Sequence, residues 1–193
     1  MRRRRTRVSV LLAVLMIVLV VPTASAGVVR TDYSAFQFPM GFPGTVGPPF
    51  YYPECPGTYV TPPILPFQAC VIEPGTVRHP DGGRWTIRGM GTLDGILPTS
   101  DPGLAGYQVS TLNANLDASG NGSAWGTFTT YTFANEPVFS GTWNGTFENA
   151  RLGGHSVAKG LGAYAGQHLT GDILTADIPN VGNVIGEIKQ TGP

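Results

Sequence analysis

Glycine and proline interrupt this chain so often that long helices are excluded. The 193 residues include 27 Gly and 17 Pro, but only 12 basic and 12 acidic side chains. A helix interior loses about 1 kcal/mol for each Gly and about 3 kcal/mol for each Pro relative to Ala. Because 41% of the residues are apolar, the chain is also too hydrophobic to be disordered. We therefore predict an all-β protein with many turns.

The first 26 residues have the pattern of a secretory signal peptide. Arginines at positions 2–5 and 7 precede an apolar stretch over 8–21, and Ala24-Ser25-Ala26 follows. The alternative is a membrane anchor, but about 14 apolar residues span only about 21 Å as a helix, against a hydrocarbon core of about 30 Å. We predict cleavage after Ala26, export from a bacterial cell and no stable membrane anchor afterwards.

Net charge and cysteine content indicate which partners and which cellular compartment to expect. Loss of the five leader arginines leaves seven basic and twelve acidic residues, a net charge of −5 with scattered cations. Nucleic acid is therefore not an expected partner. Cys55 and Cys70 are the two cysteines, and in an oxidising compartment we expect them to form a disulfide. Half of a metal site or two free thiols are the alternatives.

Residues 27–80 differ in texture from the rest. Eleven of the prolines lie between Pro39 and Pro80, interleaved with aromatic residues. Because proline fixes φ and lacks an amide donor, we predict an irregular arm with the disulfide in its middle. One interpretation is a polyproline recognition segment. The other is a wrap whose aromatic side chains cover the main domain or close one end of it.

From Asp81 onward, short runs of alternating polarity are separated by turn residues. Phe139, Trp143 and Phe147 alternate with polar residues, which is typical of a half-buried strand. The predicted strands lie around 85–93, 107–117, 123–133, 139–148, 155–160, 168–176 and 181–190. We predict that seven or eight strands in residues 81–193 form an antiparallel up-and-down β-barrel, because closure removes exposed edges. A β-sandwich is the alternative.

Three motifs resemble a known family. The segments 113–128, 141–147 (GTWNGTF) and 159–166 (KGLGAYAG) resemble the allene oxide cyclase barrel superfamily, which includes the plant dirigent proteins. The likeness covers about residues 84–190 and is closest to exported bacterial members. It implies an eight-stranded antiparallel barrel, often trimeric, with an apolar cavity. No catalytic residue of the family can be placed on this sequence.

Familiar catalytic motifs are missing from the sequence. There is no Gly-x-Ser-x-Gly elbow, and the Gly-x-Gly pairs lack the third glycine of a dinucleotide loop. His155 and His168 could meet Asp172 or Glu148 at a metal, but isolated histidines are the simpler interpretation. We expect no metal, no cofactor and no catalytic residue.

Aromatic residues are the remaining candidates for a binding site. Either they form an ordinary barrel core, or they line an apolar ligand cavity in which a few polar groups orient the ligand. Asn115 is a further polar candidate. The predicted function is an exported, non-catalytic barrel that binds a small apolar or aromatic molecule or serves as an interaction module. Alternatives are an isomerase-like, cyclase-like or dirigent-like enzyme acting by confinement, and an extracellular scaffold. The predicted ligand-binding residues are Trp85, Tyr107, Asn113, Trp125, Trp143 and Phe147.

Overall fold

The computed structural model describes residues 29–39, 54–61, 65, 67–98, 102–149, 151–175 and 182–190. The predicted signal peptide lies outside these residues. Within them the secondary structure is strand, apart from three short 3-10 turns. The strands are β1 (Val29–Pro39), β2 (Thr58–Val60), β3 (Ala69–Glu73), β4 (Thr76–Arg78), β5 (Trp85–Pro98), β6 (Gly106–Leu116), β7 (Gly122–Thr132), β8 (Pro137–Glu148), β9 (Arg151–Gly160), β10 (Gln167–Thr175) and β11 (Gly182–Gln190).

Eight of the described strands pair in a closed antiparallel ring. From β5 to β11 each strand pairs with the next along the chain. The ring closes through β1, which pairs with β11 along residues 29–37 and with β5 along residues 35–39. The predicted antiparallel β-barrel is thereby confirmed.

The eighth strand of the ring comes from the segment that we predicted to be an irregular arm. Proline content explains the difference, since residues 29–38 contain no proline and Pro39 stands at the end of β1. β2, β3 and β4 lie in the same segment, with β3 and β4 paired to the N-terminal part of β5. The prediction that regular strands do not persist there is wrong for these residues.

The barrel wall separates two groups of packed side chains. The inner group, here called the barrel core, contains Ile87, Met90, Leu112 and Phe139 among others. The second group, the outer cluster, lies on the outer face of β2, β3, β5 and β6 and includes the predicted disulfide. The disulfide Cys55–Cys70 is present. The outer cluster consists of Cys70 and Leu93 with the partly buried Cys55, Tyr59, Ile72, Leu97, Tyr107 and Val109.

A bulge in β5 changes which residues face the interior. Ile87 pairs with Ala114, but Met90 pairs with Leu112, so β5 has one extra residue between the two pairs. Gly89, at φ +63°, provides the left-handed conformation of the bulge. Without a bulge, regular alternation would put Leu93 on the same face as Trp85 and Ile87. The bulge moves Leu93 to the outer cluster instead.

Side chains from the N-terminal segment close one end of the barrel. Phe67 stacks on Phe147 with ring centroids 4.9 Å apart, and Leu65 is 2% exposed. Both belong to the barrel core. This packing agrees with the interpretation of the segment as a wrap. At the same end, the carboxylate of Asp117 accepts hydrogen bonds from the backbone amides of Ser119 and Asn121, which closes the predicted β6–β7 hairpin.

Candidate functional site

Polar side chains face the barrel interior beside the seam between β1 and β5. The alternation of side chains along β5 fixes the direction of Asp94. Leu93 and Leu97 pack in the outer cluster, so Asp94, one residue after Leu93, points to the opposite, inner face. Thr92 and Ile96, on the same face as Asp94, are 8% and 3% exposed. A carboxylate therefore points toward the core of the barrel.

The neighbouring strands add further polar groups to this interior face. On β6, Tyr107 and Val109 pack outward, so Gln108 and the buried Ser110 face inward. On β1, the core residues Tyr33 and Ala35 place Gln37 on the inner face. Thr130 of β7 is buried and pairs with Gln108. The interior polar cluster consists of Gln37, Asp94, Gln108, Ser110 and Thr130.

Hydrogen bonds link the cluster in two groups. Across the seam, Nε2 of Gln37 donates to Oδ2 of Asp94 at 3.1 Å. On the other side of Asp94, Nε2 of Gln108 donates to Oγ of Ser110 at 3.0 Å, and Oγ1 of Thr130 donates to Oε1 of Gln108 at 3.4 Å. No described side chain donates to the second carboxylate oxygen of Asp94. That oxygen is an unused acceptor of the cluster.

Asp94 combines a low-dielectric environment with residual access to water. Burial raises the pKa of Asp94 to about 7, while the hydrogen bond from Gln37 opposes this increase. Yet Asp94, Gln37 and Gln108 each keep part of their surface accessible, although they face inward between buried neighbours. Asp94 is therefore only partly enclosed by its neighbours.

Aromatic side chains border the polar cluster on the inner face. Thr130 pairs with Phe139, and Ser110 pairs with Phe128; both rings are at most 5% exposed. Trp143 lies further along β8, 8% exposed. Among the described residues, the interior thus brings one carboxylate beside apolar rings, a combination typical of small-molecule sites.

Glycine on the inner face of β8 serves the packing of the strands. A Cβ built on Gly141 would lie 1.9 Å from the backbone oxygen of Val157 and 2.7 Å from Cβ of Ala158. The missing side chain of Gly141 therefore allows the close approach of the β9 backbone. A larger residue there disturbs the β8–β9 pairing and does not selectively fill the interior.

Three of the predicted ligand-binding residues lie in the barrel core. Trp85, Trp143 and Phe147 are all buried at 7–8% exposure. Trp85 is stacked face to face on His79, with ring centroids 3.5 Å apart. Phe147 is covered by Phe67. Trp143 is the member of this group nearest the polar cluster along the inner face, while Trp85 and Phe147 belong to the closed end.

The other three predicted residues lie on the outside of the barrel. Asn113 sits between inward-facing Leu112 and Ala114, and its Oδ1 accepts the amide of Gly89 at 3.0 Å, which supports the bulge. Trp125 is 37% exposed and lies under the guanidinium of Arg88 at 5.2 Å.

Tyr107 and Asn115 are held by other outer contacts. The hydroxyl of Tyr107 donates to Oδ1 of Asn135, and burial raises its pKa, with a smaller contribution from Tyr131. Asn115 accepts a hydrogen bond from Arg88 at 2.6 Å. The polar residues that we expected to orient a ligand inside the barrel therefore do not face its interior. Regular alternation along β6 is the reason.

Asp94 was not among the residues predicted to form a site. A signal was present, since an acidic residue stands between apolar residues in Leu93-Asp94-Gly95-Ile96. Its direction depended on the bulge at Gly89, which shifts the alternation of β5 by one residue. Gln37 was missed for a different reason, since it lies in the segment that was predicted to be irregular.

The histidine candidates do not assemble a metal site in the described part of the chain. His155 pairs with Asp172 at 2.9 Å on the outer face, where their side chains are 51% and 70% exposed. His168 pairs with Lys159, away from this contact. Across the described ranges, no group of three or more His, Cys, Asp or Glu side chains is placed to hold a metal ion.

The described residues include no helix with the length and hydrophobicity needed to cross a membrane.

Wider comparisons add no relative. Comparisons of the chain with protein-family models, with curated proteins and with solved structures find no match. The geometry of the interior polar cluster is therefore the basis of the functional argument.

Proposed function

We propose that this protein is an exported β-barrel that binds one small, largely apolar or aromatic molecule in its interior. The main support for this proposal is the interior position of the Asp94 carboxylate. A carboxylate surrounded by buried neighbours costs free energy unless something it binds compensates, and an apolar side chain would serve the core better at that position. An ionisable group held at an unfavourable position is typical of functional sites.

The dimensions and chemistry of the barrel support the same function. An eight-stranded barrel is just wide enough to be filled by its own side chains or to hold one small ligand. Here one end is filled by Phe67 and Phe147, whereas the region around Asp94 retains accessible polar surface. The closed end and the accessible polar region support a ligand position between the polar cluster and Phe139.

We also propose membership of the allene oxide cyclase barrel superfamily and location outside the cytoplasm. The closed eight-stranded antiparallel ring agrees with the fold implied by that resemblance. The disulfide agrees with an oxidising compartment, and the leader sequence with bacterial export. The resemblance also implies a trimer, which native mass spectrometry of the purified protein measures directly.

Recovery of a bound molecule tests the binding function. Protein purified from its own culture supernatant is weighed by native mass spectrometry, then denatured and extracted. We expect a stoichiometric apolar passenger that is lost from Asp94→Asn and retained by Asp172→Asn, which neutralises an exposed carboxylate on the outer face. A protein that is empty on purification and binds no compound of an apolar fragment panel by ligand-observed NMR would overturn the proposal.

An enzyme that acts by confining its substrate is the second candidate. The pKa of Asp94, raised to about 7, suits proton transfer near neutral pH. In that case the extracted passenger is converted to an isomer of equal mass when it is incubated with fresh protein. Conversion that persists in Asp94→Asn would show that confinement alone is sufficient.

A further inference from the structure

We propose that the molecule bound in the barrel carries a protonated amine, which Asp94 holds beside the seam between β1 and β5. This inference rests on the proposed binding function and names its ligand class. It follows from what the interior polar cluster still offers once its internal hydrogen bonds are made.

The cluster retains an acceptor that its own hydrogen bonds do not use. One amide hydrogen of Gln37 goes to Asp94, one amide hydrogen of Gln108 goes to Ser110, and the hydroxyl of Thr130 goes to Gln108. One carboxylate oxygen of Asp94 receives no hydrogen bond from a described side chain. A complementary ligand must therefore donate a hydrogen bond at this point. A ligand carboxylate or phosphate would meet the acceptor and its negative charge unfavourably.

Charge separates an amine from a neutral donor such as an alcohol. The inner residues beside Asp94 on the adjoining strands are neutral: Gln37 on β1, Gln108 on β6, and Thr92 and Ile96 on β5 itself. Tyr33 on β1 is the one titratable side chain assigned to the inner face of these strands in the described part, and no described cation pairs with Asp94. A cation brought by the ligand would compensate the buried carboxylate, which an alcohol cannot do.

The rest of the ligand is apolar according to the same surroundings. Phe128 and Phe139 border the cluster and are almost fully buried. An ammonium head on Asp94 places the ligand body against these rings, where aromatic faces also favour a nearby cation. The inferred ligand is a primary or secondary amine with one aromatic ring or a short alkyl chain.

Matched probe pairs test the amine. Isothermal titration calorimetry compares tryptamine with tryptophol, and hexylamine with hexanol, on the full mature protein at pH 8. Within each pair the ammonium group replaces a hydroxyl group. We expect at least one amine to bind about tenfold or more tightly than its alcohol, the strength of a hydrogen bond to a charged partner. Asp94→Asn should remove this preference, and Asp172→Asn should leave it unchanged.

The unmodified protein provides a second readout that does not depend on a variant. Because an amine binds the ionised carboxylate and Asp94 has a pKa of about 7, lowering the pH from 8 to 5 should weaken amine binding until the amine binds no more tightly than its alcohol, a loss of about tenfold or more. Binding of the matched alcohol should change much less over this range.

The outcomes separate this inference from the proposed function. If an alcohol binds as tightly as its amine, or if the amine preference survives in a folded Asp94→Asn protein, the amine assignment is wrong while interior binding stands. If no amine binds but fragments from the apolar panel do, the amine assignment is likewise wrong and interior binding stands. If neither the probes nor the panel bind, both proposals fail.

Discussion

Asp94 should make the stability of this protein fall as the pH rises from 4 to 8. The pKa of this carboxyl is raised from 3.8 to about 7 by burial. The folded protein therefore holds the proton more tightly than the unfolded chain. The stability due to this protonation is fully present below about pH 4 and is lost as the pH rises through 7.

The size of the effect follows from the shift. Each pKa unit corresponds to about 1.4 kcal/mol, so the ionisation of Asp94 costs about 4 kcal/mol of unfolding free energy at pH 8. Asn has the same shape, stays neutral and can still accept the hydrogen bond from Gln37. Asp94→Asn should have the same unfolding free energy as the unmodified protein at pH 4, and an unfolding free energy up to about 4 kcal/mol higher at pH 8.

Urea unfolding of ligand-free protein at pH 4, 5, 6, 7 and 8 measures this difference. With a slope of about 2 kcal/mol per molar urea, the unfolding midpoints of the two proteins should separate by roughly 2 M at pH 8. Asp172→Asn is the control, because its carboxylate is exposed on the outer face. A difference between Asp94→Asn and the unmodified protein that stays constant from pH 4 to 8 would refute the reasoning.

Three further measurements examine the packing. Trp143→Ala should lower the unfolding free energy by about 3–5 kcal/mol, whereas Trp125→Ala on the outer face should cost about 1 kcal/mol; equal costs in urea would contradict the assigned faces. Reduction of Cys55–Cys70, whose loop spans 15 residues, should lower the unfolding free energy by about 3 kcal/mol. An unchanged unfolding midpoint in dithiothreitol would contradict a stabilising role of the disulfide. Phe67→Ala should lower the unfolding free energy by about 3–5 kcal/mol and increase binding of anilinonaphthalene sulfonate as the barrel end opens. Unchanged dye binding would show that Phe67 does not close that end.

Local pattern was sufficient for most of the barrel wall. The alternation of Phe139, Trp143 and Phe147 with polar residues placed β8 correctly, and the predicted strands 107–117 and 123–133 correspond to β6 and β7. These elements are predictable because strand alternation and short turns depend on residues close together in the chain. The disulfide was predictable because the chain has two cysteines.

The candidate site depended on contacts between distant parts of the chain. Asp94 faces inward because of a one-residue bulge at Gly89, which alternation counted along the sequence does not register. Gln37 reaches Asp94 because β1 closes the ring, a pairing between residues 57 positions apart.

Sequence therefore determined the class of fold, the strands from β5 onward and the disulfide. Tertiary structure decided which strand closes the barrel and which polar side chains face its interior. The physical reason is that each side of a strand looks equivalent until a bulge and a partner strand decide which side is buried.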